Sequence, residues 1–311
     1  MKMRQLALLF VTGIALAACG RDTNGTGGAG GAGGAGGAAG TGGSGGGMTT
    51  TIAHLRQNPP GIGVAVNLSN VVVVQRVDAS THGDVWVQDQ GGGPYSGIHL
   101  YCNYKVMNGM QVGNCPMMRP QIQTILRGQI VNVTGNYKPY MPTTPAGAPT
   151  EQEIDAPMIM PTGMMGTPTA INVTASQVLK DQSDLTMAGP TGQLQGVYVK
   201  VTDGPFMISN VMPMEFQGNC PAADASGLTY FGVEATGGGH TLALGLTFHP
   251  SSTNSTTLTW CTGACFMCPP AMELNTHTFS TVAGFVDVDS NNMTNAKFLK
   301  IMPTVDADLP M

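Results

Sequence analysis

Residues 20–47 are dominated by glycine, and alanine, threonine and serine supply most of the other side chains. A segment with so little apolar surface has nothing to bury, so it behaves as a flexible coil that spans about 30 Å on average. The segment contains no proline, the residue in which a collagen-like helix is rich, and this argues against such a helix. The folded part of the chain must therefore lie within residues 48–311.

The residues before this run have the pattern of a lipoprotein signal peptide. Lys2 and Arg4 precede an apolar stretch over residues 6–16, and Leu16–Cys19 reads Leu-Ala-Ala-Cys, the order of a bacterial lipobox. The apolar stretch is too short for a transmembrane helix, which needs about 20 residues. We predict that residues 1–18 are removed and that the cysteine carries lipid such as palmitate. An ordinary secretory signal is the alternative.

The charge pattern indicates an extracytoplasmic protein that does not bind nucleic acids. Charged residues make up 10% of the chain, against about 25% in typical soluble proteins. Loss of Lys2 and Arg4 with the signal peptide changes the formal charge from −5 to −7, and no basic run follows. Nucleic-acid binders show the opposite pattern. Gly20, rather than aspartate, follows the predicted lipidated cysteine, which favours the outer membrane over the inner membrane.

Short runs of alternating apolar residues, separated by glycine, proline, asparagine and aspartate, predict an all-β fold. Helical periodicity is weak, and short helices are predicted only at Ile52–Gln57 and Ala175–Leu179. We interpret the proline-rich residues 143–168 as the last strand of one domain and the connection to the next. After the linker at 19–47, the predicted domains are 48–165 and 166–311, each the size of one β-barrel.

Two sets of short motifs lie along these predicted domains. They are Gly61–Val74, Asp84–Asp89 with its terminal Gln-Asp, the loop Gln90–Ser96, Gly97–Tyr101 and Gly128–Gly135 in the first, and Gly196–Val201 and Phe279–Leu309 in the second. Their order and spacing resemble the OB-fold-like domains that accompany secreted bacterial nucleases and other extracellular proteins. The resemblance covers nearly all of residues 50–309 and implies two tandem OB-like β-barrels.

The resemblance also implies nucleic-acid binding, which the composition does not support. OB-folds bind single strands with a positive groove and exposed aromatic rings, whereas this chain is acidic and only 6% aromatic. We interpret Trp86 and Tyr101 as buried in a barrel. OB-folds also bind oligosaccharides and proteins. The basic residues close enough in sequence to form a local groove are Lys105, Arg119, Arg127 and Lys138.

The seven cysteines divide into one lipidation site, Cys19, and six candidates for disulfides in an oxidising compartment. Cys102 and Cys115 flank a polar loop and are predicted to pair. The others are Cys220, Cys261, Cys265 and Cys268. We predict disulfides for these four as well, with their connectivity open. A four-thiolate zinc site and a redox pair at Cys265 and Cys268 are the alternatives.

Catalytic and cofactor motifs are absent from the sequence, which has no Gly-x-Ser-x-Gly elbow, His-Glu-x-x-His helix or Walker loop. The histidines are scattered, and His82 beside Asp84 is interpreted as part of a turn. Asp287 and Asp289 suit calcium, although we interpret them as a solvated strand end. The 21 methionines suit either Cu(I) or adaptable packing. We predict no catalytic residue, no metal ligand and no cofactor.

These features together predict a lipid-anchored binding or structural module of the cell envelope that has no catalytic activity of its own. Its expected location is the outer membrane, and its expected ligand is an envelope protein or a glycan. A nucleic-acid-binding accessory to a separate extracellular nuclease is the first alternative. A periplasmic copper-binding protein is the second.

Overall fold

The computed structural model describes residues 48–78, 82–107, 110–140, 151–181, 190–210, 229–248, 277–290 and 297–310. Most of this part is β-structure with a few short helices, which confirms the prediction of a mostly β fold. Among the described helices, none is both long and apolar enough to cross a membrane. These described residues belong to one compact unit. The predicted signal peptide, the predicted linker and the cysteines at 19, 220, 261, 265 and 268 lie outside the described residues.

The strands of the first half pair into a ring. The elements are β1 (Met48–Thr50), α1 (Ile52–Gln57), β2 (Ala65–Asp78), β3 (His82–Gln88), β4 (Gly97–Asn103), β5 (Val106–Met107), β6 (Met110–Gln111), α2 (Arg119–Gln123), β7 (Gln129–Tyr137) and β8 (Glu153–Met165). The pairing runs β2–β3–β4–β8–β7 and returns to β2. Within this ring β4 and β8 are parallel, whereas the other neighbours are antiparallel.

The second half repeats this strand order. Its elements are β9 (Ile171–Val173), α3 (Pro190–Leu194), β10 (Tyr198–Val201), β11 (Phe206–Asn210), β12 (Thr229–Gly237), β13 (His240–Phe248), β14 (Thr278–Phe279), β15 (Val282–Ser290) and β16 (Lys297–Met302). The pairing runs β14–β11–β12–β13–β16–β15–β10–β9. Only residues 202–205 separate β10 from β11, so together they take the place of β2. The strands that correspond to β4 and β8 are β13 and β16, which are again parallel.

A strand predicted within residues 143–168 is present as β8, and two prolines lie inside it. Pro157 and Pro161 are part of the strand Glu153–Met165. Proline has no N–H to donate, so it is tolerated where a strand needs partners on one side only. Strand β8 pairs with β4 only as far as Asp155, and beyond that residue its described pairing is with β7.

The helix predicted at Ile52–Gln57 is present with those bounds. Thr51 caps it, because its hydroxyl oxygen accepts a hydrogen bond from the first turn. The carboxylate of Asp89 accepts two more, each 3.0 Å long, from the first two helical N–H groups. Burial raises the pKa of this carboxyl in spite of both bonds. The second predicted helix, Ala175–Leu179, is reduced to a 3-10 turn at Ala175–Gln177.

Cys102 and Cys115 form the predicted disulfide, with Cα atoms 4.9 Å apart. Cys102 lies on β4, and both cysteines are buried in the apolar core of the first half. The bridge therefore fastens the loop that follows β4 to the same core. A loop of this length constrains the unfolded chain by about 3 kcal/mol.

The strands between the two halves are buried on both faces. The core of the first half contains Val71 and Val73, whereas their neighbour Val74 belongs to a separate cluster. That cluster joins the halves, and its members are Val74, Val77, Trp86, Tyr198, Ala283, Phe285 and Met302. The rings of Trp86 and Phe285 stack with centroids 4.6 Å apart. Trp86 is therefore buried between the halves, and not inside a barrel as its sequence context suggested.

Buried polar side chains also bridge the two halves. Gln88 donates from Nε2 to the carbonyl of Thr169 at 2.8 Å, and its Oε1 accepts from the N–H of Tyr198 at 3.2 Å. Arg127 donates to the hydroxyls of Tyr198 at 3.1 Å and Thr304 at 2.9 Å. The guanidinium of Arg56 donates to the carbonyl of Gly97 in the first half and to those of Gly192 and Gln195 in the second half. Since buried polar groups need partners, these contacts make each half incomplete without the other.

Candidate functional site

A cluster of ionisable side chains lies on the face of β3, β4 and β8 that is turned away from the first core. Neighbouring strands pair Trp86 with His99 and Asp84 with Tyr101, and they pair His99 with Glu153. Paired residues lie on the same face of a sheet, and alternate residues of a strand share that face. The residues between them, such as Val85 and Leu100, therefore point into the core, while the ionisable ones face the second half.

The centre of this cluster is the imidazole of His99, which is 7% exposed. Its Nε2 lies 2.9 Å from Asp84 Oδ1. On the opposite side, its Nδ1 lies 2.9 Å from Glu151 Oε1 and 3.7 Å from Glu153 Oε2. The second oxygen of Asp84 lies 3.2 Å from His82 Nε2. We call His82, Asp84, His99, Glu151 and Glu153 the His99 cluster.

Aromatic rings hold the imidazole in place. The ring of Trp86 stacks on His99 with centroids 4.7 Å apart and planes 10° apart, and the other stacking partner of Trp86 is Phe285. The ring of Tyr101 is inclined at 71° to the imidazole, and the two ring centroids are 6.2 Å apart. Side-chain rotation of His99 is therefore restricted by packing as well as by its polar contacts.

The charges of the cluster stabilise one another. Burial alone lowers the pKa of His99, but the facing carboxylates of Glu151 and Asp84 outweigh it and raise the pKa well above its ordinary value. Burial raises the pKa of Asp84, yet the two histidines beside it, His82 and His99, lower it further, so the net shift is downward. With nothing else bound, the imidazole carries a proton and the carboxyl of Asp84 is ionised at neutral pH.

A narrow cleft borders the cluster on the side of the second half. Its lining residues are Trp86, Ile98, His99, Glu151, Gln152, Gln195, Gly196 and Asp287. The cleft has no room for a water molecule between these side chains, so it does not form a substrate pocket as it stands. The arrangement suits a buried ion pair network or a small cation. It places no serine or cysteine nucleophile beside the histidine among the cleft residues.

The sequence analysis does not predict this cluster. It interprets His82 and Asp84 as part of a turn, whereas both lie on β3. It assigns no role to His99, Glu151 or Glu153. The local signal is the alternation of Asp-x-Trp, His-x-Tyr and Glu-x-Glu in three separate segments, but joining these segments requires the parallel register of β4 with β8.

Within the described part of the chain, the other candidate histidine, cysteine, aspartate and glutamate ligands form no comparable group. Asp287 lies 3.2 Å from the ammonium of Lys300, and the side chain of Asp289 lies outside the described part. Of the methionines, Met158, Met160 and Met164 are exposed at alternate positions of β8. Of the basic residues considered for a groove, Arg127 is engaged with Tyr198 and Thr304, and Lys138 pairs with Asp155 at 2.9 Å.

Comparison with known proteins gives no family for this chain. No family model matches it, and no curated protein matches it. Two solved structures show a partial likeness. One is a putative aspartyl-tRNA synthetase from Leishmania major Friedlin, at 11% identity and a TM-score of 0.27, where the match covers 44% of this chain and 24% of that chain. The other is a Replication Protein A heterotrimer bound to ssDNA, at 8% identity and a TM-score of 0.25, with 82% and 68% covered.

Proposed function

We propose that this protein is a lipid-anchored, non-catalytic binding module of the bacterial cell envelope. A signal peptide is removed, Cys19 is lipidated, and the glycine-rich linker holds the folded residues away from the outer membrane. The observation that carries the proposal is the lipobox Leu16–Cys19 followed directly by the linker at residues 20–47. Several acyl chains on one cysteine give a stable anchor where one chain is marginal.

We propose further that the folded part consists of two OB-like barrels that act as one body. The strand order supports this, because β2–β3–β4–β8–β7 returns to β2 with a parallel β4–β8 pair, and five-stranded Greek-key barrels are the architecture of the OB-fold. The second half has the same order when β10 and β11 count as one strand. The buried contacts of Gln88 with Thr169 and Tyr198 favour a rigid body.

The anchor is tested by Cys19→Ala in the full-length chain. We expect the parent to partition into the detergent phase of a phase-separation assay, and the variant to move to the aqueous phase and keep its signal peptide. Thr23→Ala, which changes the linker but leaves the lipobox intact, is the matched control and should behave as the parent does. Detergent partitioning of the Cys19→Ala variant equal to that of the parent would show that no lipid is attached there.

The alternative of a nucleic-acid-binding accessory predicts a different result. We expect no micromolar binding of single-stranded or duplex DNA to the full-length chain at physiological salt, because the predicted mature charge is −7 and the counterion-release term needs clustered cations. Fluorescence anisotropy across a salt series measures this. Micromolar binding that weakens steeply with salt, and that is lost in Arg119→Ala, would favour the nuclease accessory instead.

A further inference from the structure

His99 and the two glutamates on its Nδ1 side have the spacing of metal ligands. One ligand atom each from His99, Glu151 and Glu153 lies within 4.8 Å of the others. Two ligands bound to Zn²⁺ at about 2.1 Å with tetrahedral angles are about 3.4 Å apart. The Nδ1–oxygen distances of 2.9 Å and 3.7 Å lie on either side of that value. Small side-chain adjustments would therefore complete the geometry without moving a strand.

The opposite side of the imidazole is already arranged for this role. Asp84 faces Nε2 at 2.9 Å, and a metal-bound histidine usually donates its other ring N–H to a carboxylate that fixes its tautomer and orientation. Such a tautomer directs the Nδ1 lone pair at the two glutamates. In the structure Nδ1 is buried and makes no hydrogen bond of acceptable geometry, although Glu151 lies 2.9 Å away.

The charge balance also favours a divalent cation. Two carboxylates, from Glu151 and Glu153, converge on a single ring nitrogen, and their side chains are only 19% and 3% exposed. A proton on Nδ1 supplies one positive charge to this side of the cluster, whereas a divalent ion supplies two and also satisfies the nitrogen lone pair. Burial strengthens the attraction between a bound cation and these carboxylates, because charges interact more strongly in a low dielectric.

We propose that His99, Glu151 and Glu153 bind one divalent transition-metal ion, with Asp84 as the positioning residue of the imidazole. An imidazole with two carboxylates suits zinc rather than calcium or magnesium, which take oxygen ligands. Three protein ligands would leave a fourth position for an additional ligand, and the cleft lined by Gln152 and Gln195 borders the same cluster. The site goes beyond the proposed function and does not depend on the lipid anchor.

The test is zinc binding by the full-length chain after removal of metal with a chelator. We expect one zinc ion bound at His99, weakened more than tenfold in Glu151→Gln and by 10- to 100-fold in Asp84→Asn, the range for loss of a carboxylate that orients a ligand. The matched control is Glu234→Gln, which removes a glutamate paired with Lys180 in the second half and should leave zinc affinity unchanged. Competition with a chromophoric chelator measures each affinity.

X-ray absorption at the zinc edge then separates this site from the cysteines. We expect a first coordination shell of nitrogen and oxygen atoms in the parent. This measurement is made on the parent alone and does not require any variant to fold. A shell of sulfur atoms alone, or zinc affinity in Glu151→Gln equal to that of the parent, would overturn the proposal. So would the failure of the folded parent to bind zinc at micromolar concentration.

Discussion

Gly97→Ala is expected to lower the free energy of unfolding by about 4 kcal/mol or more, at the upper end for single substitutions. A Cβ at this position would lie 2.0 Å from the carbonyl oxygen of Gly196 and 2.1 Å from its carbonyl carbon. It would also lie 2.6 Å from the N–H nitrogen of Val197. All three are backbone atoms, so no side-chain rotation relieves the clash. The two halves must move apart, and the ring stack and the buried hydrogen bonds between them must weaken.

The matched control is Gly91→Ala, in the loop that precedes the same strand. A Cβ there meets nothing within 4 Å, so we expect a change between zero and a slight stabilisation from the loss of unfolded-state freedom. Urea unfolding followed by circular dichroism measures both variants. Equal midpoints for Gly97→Ala and the parent would show that the backbones of the two halves are not in contact in solution.

These two glycines illustrate how far the sequence predicts this fold. Gly97 and Gly196 each begin a motif whose alternating residues predict a strand. Their contact joins positions that are about one hundred residues apart in the sequence, and no local pattern encodes such a distance. A glycine at the start of a strand indicates a turn as readily as it indicates close approach of another backbone.

Local signals were sufficient where the structure is local. Helix α1 has its predicted bounds, because Thr51 is a good N-cap and the next residues have apolar side chains at helical spacing. The disulfide of Cys102 with Cys115 closes a short polar loop, and that also is a local feature. In β8, by contrast, Pro157 and Pro161 argue locally against a strand. They are tolerated because this part of β8 has a described partner strand on one side only, which is not a local feature.

The His99 cluster was hidden for a different reason. Its histidines and aspartate lie on β3 and β4, and its glutamates lie at and just before the start of β8. Each appears in the sequence as an isolated polar residue. On a solvated sheet face such residues need no explanation. They become a buried cluster only because the second half covers that face through Trp86 and Phe285. The sequence does not show which face of the sheet is covered. The prediction of no metal ligand therefore takes no account of burial at these positions.

The second large effect is expected at Arg56, a guanidinium that is only 2% exposed. It donates to the carbonyl oxygens of Gly97 at 2.9 Å and Gln195 at 2.5 Å, and also to that of Gly192. Its charge lies 5.7 Å from the centre of the Tyr95 ring. Burial lowers its pKa to about 10, so it remains protonated at neutral pH. Its planar guanidinium group therefore donates to carbonyls of both halves at once.

Arg56→Met keeps much of the apolar volume but removes every donor. Three carbonyls would lose their partner, and each unsatisfied buried group costs about 1–3 kcal/mol, so we expect the free energy of unfolding to fall by about 3–5 kcal/mol. Lys200→Met, on the exposed face of β10, is the matched control and should change it by less than about 0.5 kcal/mol. Arg56→Lys keeps the charge without the planar guanidinium group. Its free energy of unfolding should lie between those of Arg56→Met and Lys200→Met.

The shape of the unfolding curve then distinguishes a joined body from two separate barrels. If the halves depend on one another, Arg56→Met shifts a single transition to lower urea and leaves its slope unchanged, because the slope follows the surface exposed on unfolding. If each half is stable alone, the variant instead shows two transitions with smaller slopes. That second outcome would mean that Arg56 joins two independent modules, and a ligand would then be expected to bind either half without the other.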